Sequence, residues 1–305
     1  MGSTVPDTEY QRFGPWVLEI NERDTVPKLF RPYVETTENP ILSVKIPRPV
    51  ERVNAKHLTH RYDYLISLYP TRLVILSRHG DLVVTESVAY SEICSLYSVH
   101  DLLRGCLRVV TSSHAYEIPY STVSSDLMER VIDLIRSFYT ESDQAVPVEA
   151  ATFENGEGLS FFFSNLLDDE LRRNPDLRIL ASQIETPMAA YEVTGWRRAF
   201  ARVTRRRLLD SLHLTDGREL VVIDRGQPFR YGRQAIYARN TVYLPLSRIA
   251  SAEWGREAGE SPLVTLTIRT GPASYCYRLL ATNPWQHRYN SFLRGTTRAQ
   301  LSSSR

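Results

Sequence analysis

The sequence predicts a mainly β protein of α+β class, in which two strand-rich domains are each closed by one C-terminal amphipathic helix. Three observations lead there. Short apolar-alternating runs separated by polar turns recur from Tyr62 to Tyr120 and again from Leu208 to Leu280, a spacing that suits bent sandwiches or barrels. Each series ends where the apolar period lengthens to that of a helix. The second series also repeats the first. Tyr90-Ser91-Glu92-Ile93-Cys94-Ser95 aligns with Leu246-Ser247-Arg248-Ile249-Ala250-Ser251, 156 positions on (246 minus 90), with both serines and the isoleucine kept. Such self-similarity marks two versions of one structural unit and points away from a single large catalytic domain. After the shared segment, each copy reads as a loop of about ten residues, a β-hairpin and a helix.

The elements follow in order. Residues 1–50 form an extended N-terminal arm, interrupted by Pro6, Pro15, Pro27, Pro32, Pro40, Pro47 and Pro49. Proline donates no ladder hydrogen bond, so only short strands fit, at Trp16–Ile20 and Ile41–Ile46. The first domain, 51–140, carries strands at Tyr62–Tyr69, Arg72–Arg78, Leu82–Glu86, Val88–Tyr97, Cys106–Thr111 and Ala115–Tyr120. Leu127, Val131, Leu134, Ile135 and Phe138 then share one helical face, with Asp126 as N-cap and Glu129 completing a capping box.

Residues 141–206 read as a helical linker with segregated charge. Positions 141–170 hold acids but no Lys or Arg, whereas 197–207 are arginine-rich without an acid. The second domain, 207–296, has strands at Leu208–Leu214, Glu219–Asp224, Gln234–Ala238 and Thr241–Leu246, the last two joined through Arg239-Asn240. Leu263–Thr270 and Ser274–Leu280 form a hairpin across Gly271-Pro272-Ala273. Asn283-Pro284 opens a helix bearing Trp285, Tyr289, Phe292 and Leu293, and Gly295 ends it. Residues 297–305 are a flexible tail.

Composition excludes several classes. A length of 305 residues allows two domains that each bury a core. Apolar content of 42% and charged content of 24% suit a soluble globular chain. A net charge of +2 brings no bulk attraction to nucleic acid or anionic membrane. Only three of the 37 basic residues are lysines (Lys28, Lys45 and Lys56), so arginine richness is partly compositional. Cys94, Cys106 and Cys276 form an odd set without C-x-x-C spacing, and Cys94 and Cys276 read as small hydrophobes within strands. That favours a reducing compartment. No signal peptide is visible in Met1–Gln11, and no apolar run reaches a membrane span. The expected location is cytoplasmic.

A run of six or seven short strands closed by one amphipathic helix resembles the pleckstrin-homology-like (PH-like) fold, in which the helix plugs one end of a bent sandwich. Trp285 stands where that helix usually carries a tryptophan, and the first copy departs from this with Leu127 or Met128. The resemblance is one of architecture, without a lipid-binding signature. It implies tandem PH-like domains acting as protein-interaction or membrane-adjacent modules, and the fold alone does not choose between these.

Catalytic motifs are absent from the sequence. Gly156-Glu157-Gly158 has Phe161 where a dinucleotide fingerprint needs glycine, so it reads as a turn. No phosphate loop or G-x-S-x-G elbow occurs. His57 and His60 can share a helical face but lack a supporting metal motif. His100-Asp101 reads as a hydrogen-bonded loop pair, and Asp168-Asp169-Glu170 as a solvated helix face. The sequence therefore assigns no catalytic residue, cofactor or metal.

Two segments remain as candidate binding surfaces. Arg197, Arg198, Arg202, Arg205, Arg206 and Arg207, interleaved with Trp196 and Phe200, either grip phosphates of lipid or nucleic acid, or pair with the acidic 141–170 segment and solvent. Phe161, Phe162, Phe163, Leu166 and Leu167 lie on a helical stripe that either contacts a partner or packs between the domains. Its acidic polar face counts against lipid. The resulting expectation is a non-catalytic binding or scaffolding protein whose partner is another protein or a second copy of itself. Anionic phospholipid, or less readily nucleic acid, at 197–207 is the first alternative. An enzyme of unrecognised type, with a pocket holding His100, Asp101 or His114, is the second.

Overall fold

The computed structural model describes residues 8–22, 24–35, 37–141, 145, 158–191, 195–233, 235–256, 262–281 and 286–292. The chain is mainly β, as the sequence predicts, and divides into two units. The first comprises 1–93, 100–108 and 116–141, and the second 94–99, 109–115 and 142–305.

In the first unit, β1 (Leu18–Glu19), β2 (Leu42–Pro47), β3 (Tyr62–Leu68), β4 (Arg72–His79) and β5 (Leu82–Ala89) form an antiparallel meander in chain order. Two short helices, α1 (Thr8–Arg12) and α2 (Arg52–Ala55), lie among them. The segment expected to be an arm thus supplies two strands, and Phe13 and Phe30 join Tyr62, Leu65 and Leu76 in the core. Its prolines sit where they do little harm. Pro47 ends β2 at a register shift, where its missing N–H interrupts no further ladder. An ion cluster accompanies these strands: buried Asp24 lies 2.6 Å from the exposed Arg12 and 3.5 Å from the buried Lys45, whose ammonium also donates to Thr25 O.

The chain continues through β6 (Ile93–Asp101), β7 (Arg104–Thr111) and β8 (Ala115–Ser121) into α3 (Ser125–Thr140). In α3 the buried face is Met128, Val131, Ile132, Ile135 and Tyr139, rotated from the expected stripe. Leu127, Leu134 and Phe138 are half-buried, and Phe138 stacks on Tyr90 at 4.7 Å. The helix starts one residue before the expected cap, Asp126. Ser124 precedes it without a capping bond, its hydroxyl accepting instead from Val17 N at 2.8 Å.

The second unit opens with α4 (Phe161–Arg173), capped by Ser160, whose hydroxyl accepts from Phe163 N. Next come β9 (Arg178–Gln183), β10 (Thr186–Pro187) and α5 (Gly195–Val203). They are followed by β11 (Arg207–Leu208), β12 (Ser211–Thr215), β13 (Glu219–Asp224), β14 (Phe229–Arg230) and β15 (Arg239–Pro245). The last strands are β16 (Ile249–Arg256), β17 (Leu263–Thr270) and β18 (Ala273–Leu280), and residues 286–292 are helical.

One sheet of this unit runs β9-β12-β13-β15 as an antiparallel meander, continued beside β15 by residues 94–99. A second sheet is the meander β16-β17-β18, and a third, smaller one is β10-β11-β14. The expected helical linker therefore contributes a sheet strand, β9, at the edge beside β12, which 141–206 conceals among charged and apolar residues. Excising 151–190 would remove that strand, so this segment is more than a connector.

Other boundaries shift for local reasons. The loop of about ten residues expected after each repeated hexapeptide is partly strand in both copies, with β6 running to Asp101 and β16 to Arg256. Apolar side chains anchor these extensions, Leu96 being buried and Trp254 packing against the core of the second unit. Arg239-Asn240 is not a turn but the start of β15, paired across to Asp224. Residues 235–238, expected as a strand, have no regular structure, and Gln234 lies outside the described residues. The β17–β18 hairpin turns through Gly271-Pro272 alone, with Gly271 at φ +51°. A tight hairpin needs that left-handed backbone, and a Cβ there would meet Cys94 Sγ at 2.8 Å. In the terminal helix, Tyr289 and Phe292 are buried in the same core as Val222, Leu244 and Leu266. The expected cap Asn283-Pro284, Trp285, Leu293, Gly295 and the tail lie outside the described residues.

The repeated hexapeptides adopt the same local structure. Tyr90–Glu92 and Leu246–Arg248 are both single 3-10 turns between two strands. The preceding residues, Ala89 and Pro245, have φ/ψ of −66/138° and −56/127°, and the following Ile93 and Ile249 have −71/118° and −73/112°. In each, the isoleucine N–H donates to the first turn carbonyl. The two copies thus share a corner as well as a sequence.

Candidate anion-binding site

The small sheet β10-β11-β14 builds a cluster of arginines at the end of α5. Helix α5 terminates with Arg206 N–H donating to Ala201 O at 2.9 Å and Arg205 N–H to Arg202 O at 3.2 Å. This pair of bonds is the Schellman arrangement, which places its penultimate residue in the left-handed region. Glycine is usual there, yet the residue is Arg205, at φ +49°. Its Cβ makes that backbone unfavourable by about 1 kcal/mol. The strained turn reverses the chain so that the next residues enter β11.

Backbone bonds fix what surrounds this turn. Met188 N–H donates to Arg206 O at 3.0 Å, and Gly232 N–H to Thr204 O at 2.8 Å, bringing Arg233 to the same place. Pairing of β11 with β14 sets Arg207 directly opposite Arg230. Arg206 lies over the Phe229 ring, 3.9 Å from its centroid, a favourable cation–π contact. A small apolar core of Met188, Ala201, Leu208, Leu263 and Leu280 supports the sheet.

Above it opens a cavity of about 420 Å³ lined by Arg202, Arg205, Arg206, Arg207, Arg230 and Arg233 together with Pro187, Ala189, Ala201 and Gly232. Glu185 Oε1 accepts from Arg207 Nε at 2.5 Å and from Arg230. Guanidinium is cationic at every accessible pH and presents a planar fork of donors that matches phosphate oxygens. The lining supplies positive charge and hydrogen-bond donors but no nucleophile or base. Such a lining is chemically suited to an anion.

A second cavity in the same unit, of about 200 Å³, is more polar and more satisfied. Asp210 and Asp224 both line it, and burial raises the pKa of each above the usual carboxylate value. Asp210 accepts from Ser160 Oγ at 3.0 Å and from Glu185 N, while Asp224 accepts from Gly226 N at 2.5 Å. These carboxylates tie loops together. Asp210 thereby also fixes Glu185, and through it the arginine pair.

Of the sequence-predicted residues, the structure brings Arg202, Arg205, Arg206 and Arg207 into one cavity. Arg197 and Arg198 stay on α5, with Arg197 half-buried, its guanidinium 5.7 Å from the Trp196 ring, and Arg198 exposed. Arg207 pairs with Glu185, which lies outside the acidic 141–170 segment. Residues 142–144 and 146–157 of that segment are outside the described residues, Gly156 and Glu157 among them. Sequence reasoning missed Arg230, Arg233 and Glu185. No local signal marks them, since only the β11–β14 pairing brings 230 beside 207.

The candidate interaction helix is largely committed to the interior. Phe163 and Leu166 are buried, Phe162 and Leu167 half-buried, and Arg225 sits over the Phe162 ring at 3.7 Å. Phe161 alone is fully outward, at 83% exposure. The acidic run beside it is not wholly solvated. Asp169 pairs with Arg172, but Glu170 is buried, held by Arg173 at 2.5 Å and the Tyr243 hydroxyl at 3.3 Å.

The remaining candidates separate. His57 falls beyond the one-turn helix α2, so it shares no helical face with His60. His100 lies in β6, not a loop, and hydrogen-bonds the Tyr120 hydroxyl at 2.7 Å in place of Asp101. His114 meets Ser113 Oγ at 2.9 Å. None of His100, Asp101 and His114 lines either cavity described above. Cys94 is buried as expected of a small hydrophobe, whereas Cys276 is on the exposed side of β18. Among the described residues, no group of three or more His, Cys, Asp or Glu is placed to hold a metal ion. Nor is any helix among them long and apolar enough to cross a membrane. The chain matches no known family model, and a search of curated proteins finds no match.

Proposed function

We propose that this chain is a non-catalytic binding protein built of two PH-like repeats, and that its ligand is an anion bearing phosphate, taken up in the arginine cavity. The repeats are supported by element order. Each copy runs through a four-stranded meander (β2 to β5, and β9-β12-β13-β15), the shared 3-10 corner, three further strands and a helix. On this reading Tyr289 and Phe292 plug the second repeat as Ile132 and Ile135 plug the first.

The convergence of six arginines on one cavity, two of them sharing Glu185, carries the functional reading. Crowding like charges is unfavourable without an anion among them, so the pocket gains most when a phosphate enters. A protein-partner role for the Phe161–Leu167 helix has less support, because one exposed phenylalanine makes no patch.

The test is calorimetric titration of the full chain with inorganic pyrophosphate, beside the R202Q/R205Q/R233Q variant. These three positions are exposed, so the fold tolerates the change. The reading expects binding that weakens steeply with salt and is lost in the variant. Absence of binding, or equal affinity in the variant, overturns it.

A further inference from the structure

We propose that the phosphate groups come from an anionic lipid bilayer, onto which the chain docks through Trp196, Phe200 and Val203 of α5. This rests on the phosphate-binding reading and names the source of the anion. Trp196 is 71% exposed, Phe200 53% and Val203 84%. Their spacing of four and three residues, at about 100° per residue, gathers them into an arc of about 60°. Ala201, the one buried residue of α5, points roughly 130° away from that arc, into the core with Met188 and Leu208. The helix therefore turns its largest apolar side chains away from the protein. None of the three belongs to the small core beneath the helix.

The flanks of this stripe are basic. Arg197 lies about 90° from the centre of the arc and Arg202 about 130° on its other side, while Arg198 is opposite, and the chain passes directly into Arg205, Arg206 and Arg207. A cationic polar face beside exposed Trp and Phe is the composition of a helix that lies in the headgroup region of a bilayer. Nine residues cannot span the hydrocarbon, so α5 rests in the interface plane. The contrast with α4 is chemical, since Phe161 there is followed by Asp168, Asp169 and Glu170. Val203 decides against nucleic acid. Aromatic rings stack on bases, but an exposed valine gains nothing from a base or a phosphate and gains from the acyl boundary.

The experiment uses the full chain with vesicles of phosphatidylcholine alone or containing phosphatidylserine, in flotation assays at low and high salt. A W196S/F200S variant serves as the discriminating partner, with inorganic pyrophosphate binding measured in parallel. The expected result is flotation with phosphatidylserine vesicles only, reduced at high salt. W196S/F200S is expected to lose vesicle binding at least about tenfold while keeping its pyrophosphate affinity. A wild-type chain that binds pyrophosphate but no vesicle overturns the bilayer proposal and leaves the anion reading standing. So does a vesicle affinity unchanged in W196S/F200S, or capture of an oligonucleotide that depends on Trp196 and Phe200 without vesicle binding. Binding to neither pyrophosphate nor vesicles removes the anion reading itself.

Discussion

Arg207 and Arg230 face each other across β11 and β14, and one oxygen of Glu185 receives a hydrogen bond from both. Like charges directly opposite on a sheet are destabilising. The carboxylate turns that repulsion into a fork-shaped ion pair and holds both guanidiniums at the cavity wall. In Glu185→Gln the counter-charge goes and the arginines remain. Stability should fall by about 1–2 kcal/mol, a modest figure because all three side chains are partly exposed. Pyrophosphate should then raise the melting temperature of the variant more than that of the wild type, since the added anion replaces the lost charge. Equal ligand shifts in the two proteins would show that Glu185 does not share its arginines with a ligand.

Arg205 adopts the left-handed conformation that a helix-ending turn normally gives to glycine. Arg205→Gly should stabilise the chain by about 1 kcal/mol and weaken pyrophosphate binding several-fold. Arg205→Ala, which keeps the strained Cβ, should lose the affinity without the gain. Denaturant titrations with parallel calorimetry separate these effects. Loss of stability in the glycine variant would mean that the arginine side chain itself secures the turn.

His213 is fully buried on β12, its ring sharing a hydrogen bond with the Tyr289 hydroxyl and lying edge-on to Tyr277 and Tyr289. Burial holds its pKa down at about 3, against 6.5 ordinarily. Between those values the unfolded chain binds a proton that the folded one refuses. The stability from a neutral His213 is therefore complete above pH 6.5 and is lost as pH falls from 6.5 toward 3. The slope approaches about 1.4 kcal/mol per pH unit in that window. His213→Asn should be less stable at neutral pH but show a flatter profile between about pH 6.5 and 4. A series of denaturant titrations across that range reads the slope, and an unaltered slope would assign the titration elsewhere.

In the first unit, Asp24 answers two cations, Arg12 and the buried Lys45. Burial already lowers the Lys45 pKa, with Asp24 opposing it. Asp24→Ala strands an ammonium in the interior and should cost about 3–5 kcal/mol, whereas D24A/K45M should recover much of the loss. If the single and double variants melted together, the cluster would not be coupled.

What was legible locally came through well. Period-two alternation located most strands within a few residues, and the repeated hexapeptide marked two corners of equal backbone geometry. Helix α3 was visible, though its buried face was rotated, because apolar residues at 127, 134 and 138 compete with Met128, Ile132 and Tyr139 for the interior. The arginine cluster from 202 to 207 was legible as composition and not as a cavity.

The strand-rich class, the recurring corner and the local concentration of charge were readable along the chain, since each corner, strand and charge run depends on residues within a few positions of one another. Long-range pairing was needed to show that 178–183 is a sheet strand, that Glu170 is buried and that Arg230, Arg233 and Glu185 complete the arginine site, whereas the strand at 42–47 was already legible as Ile41–Ile46. Strand pairing is the physical reason. A ladder joins residues by backbone hydrogen bonds at any separation along the chain, so its register, and every site it assembles, is set by the packing of the whole unit.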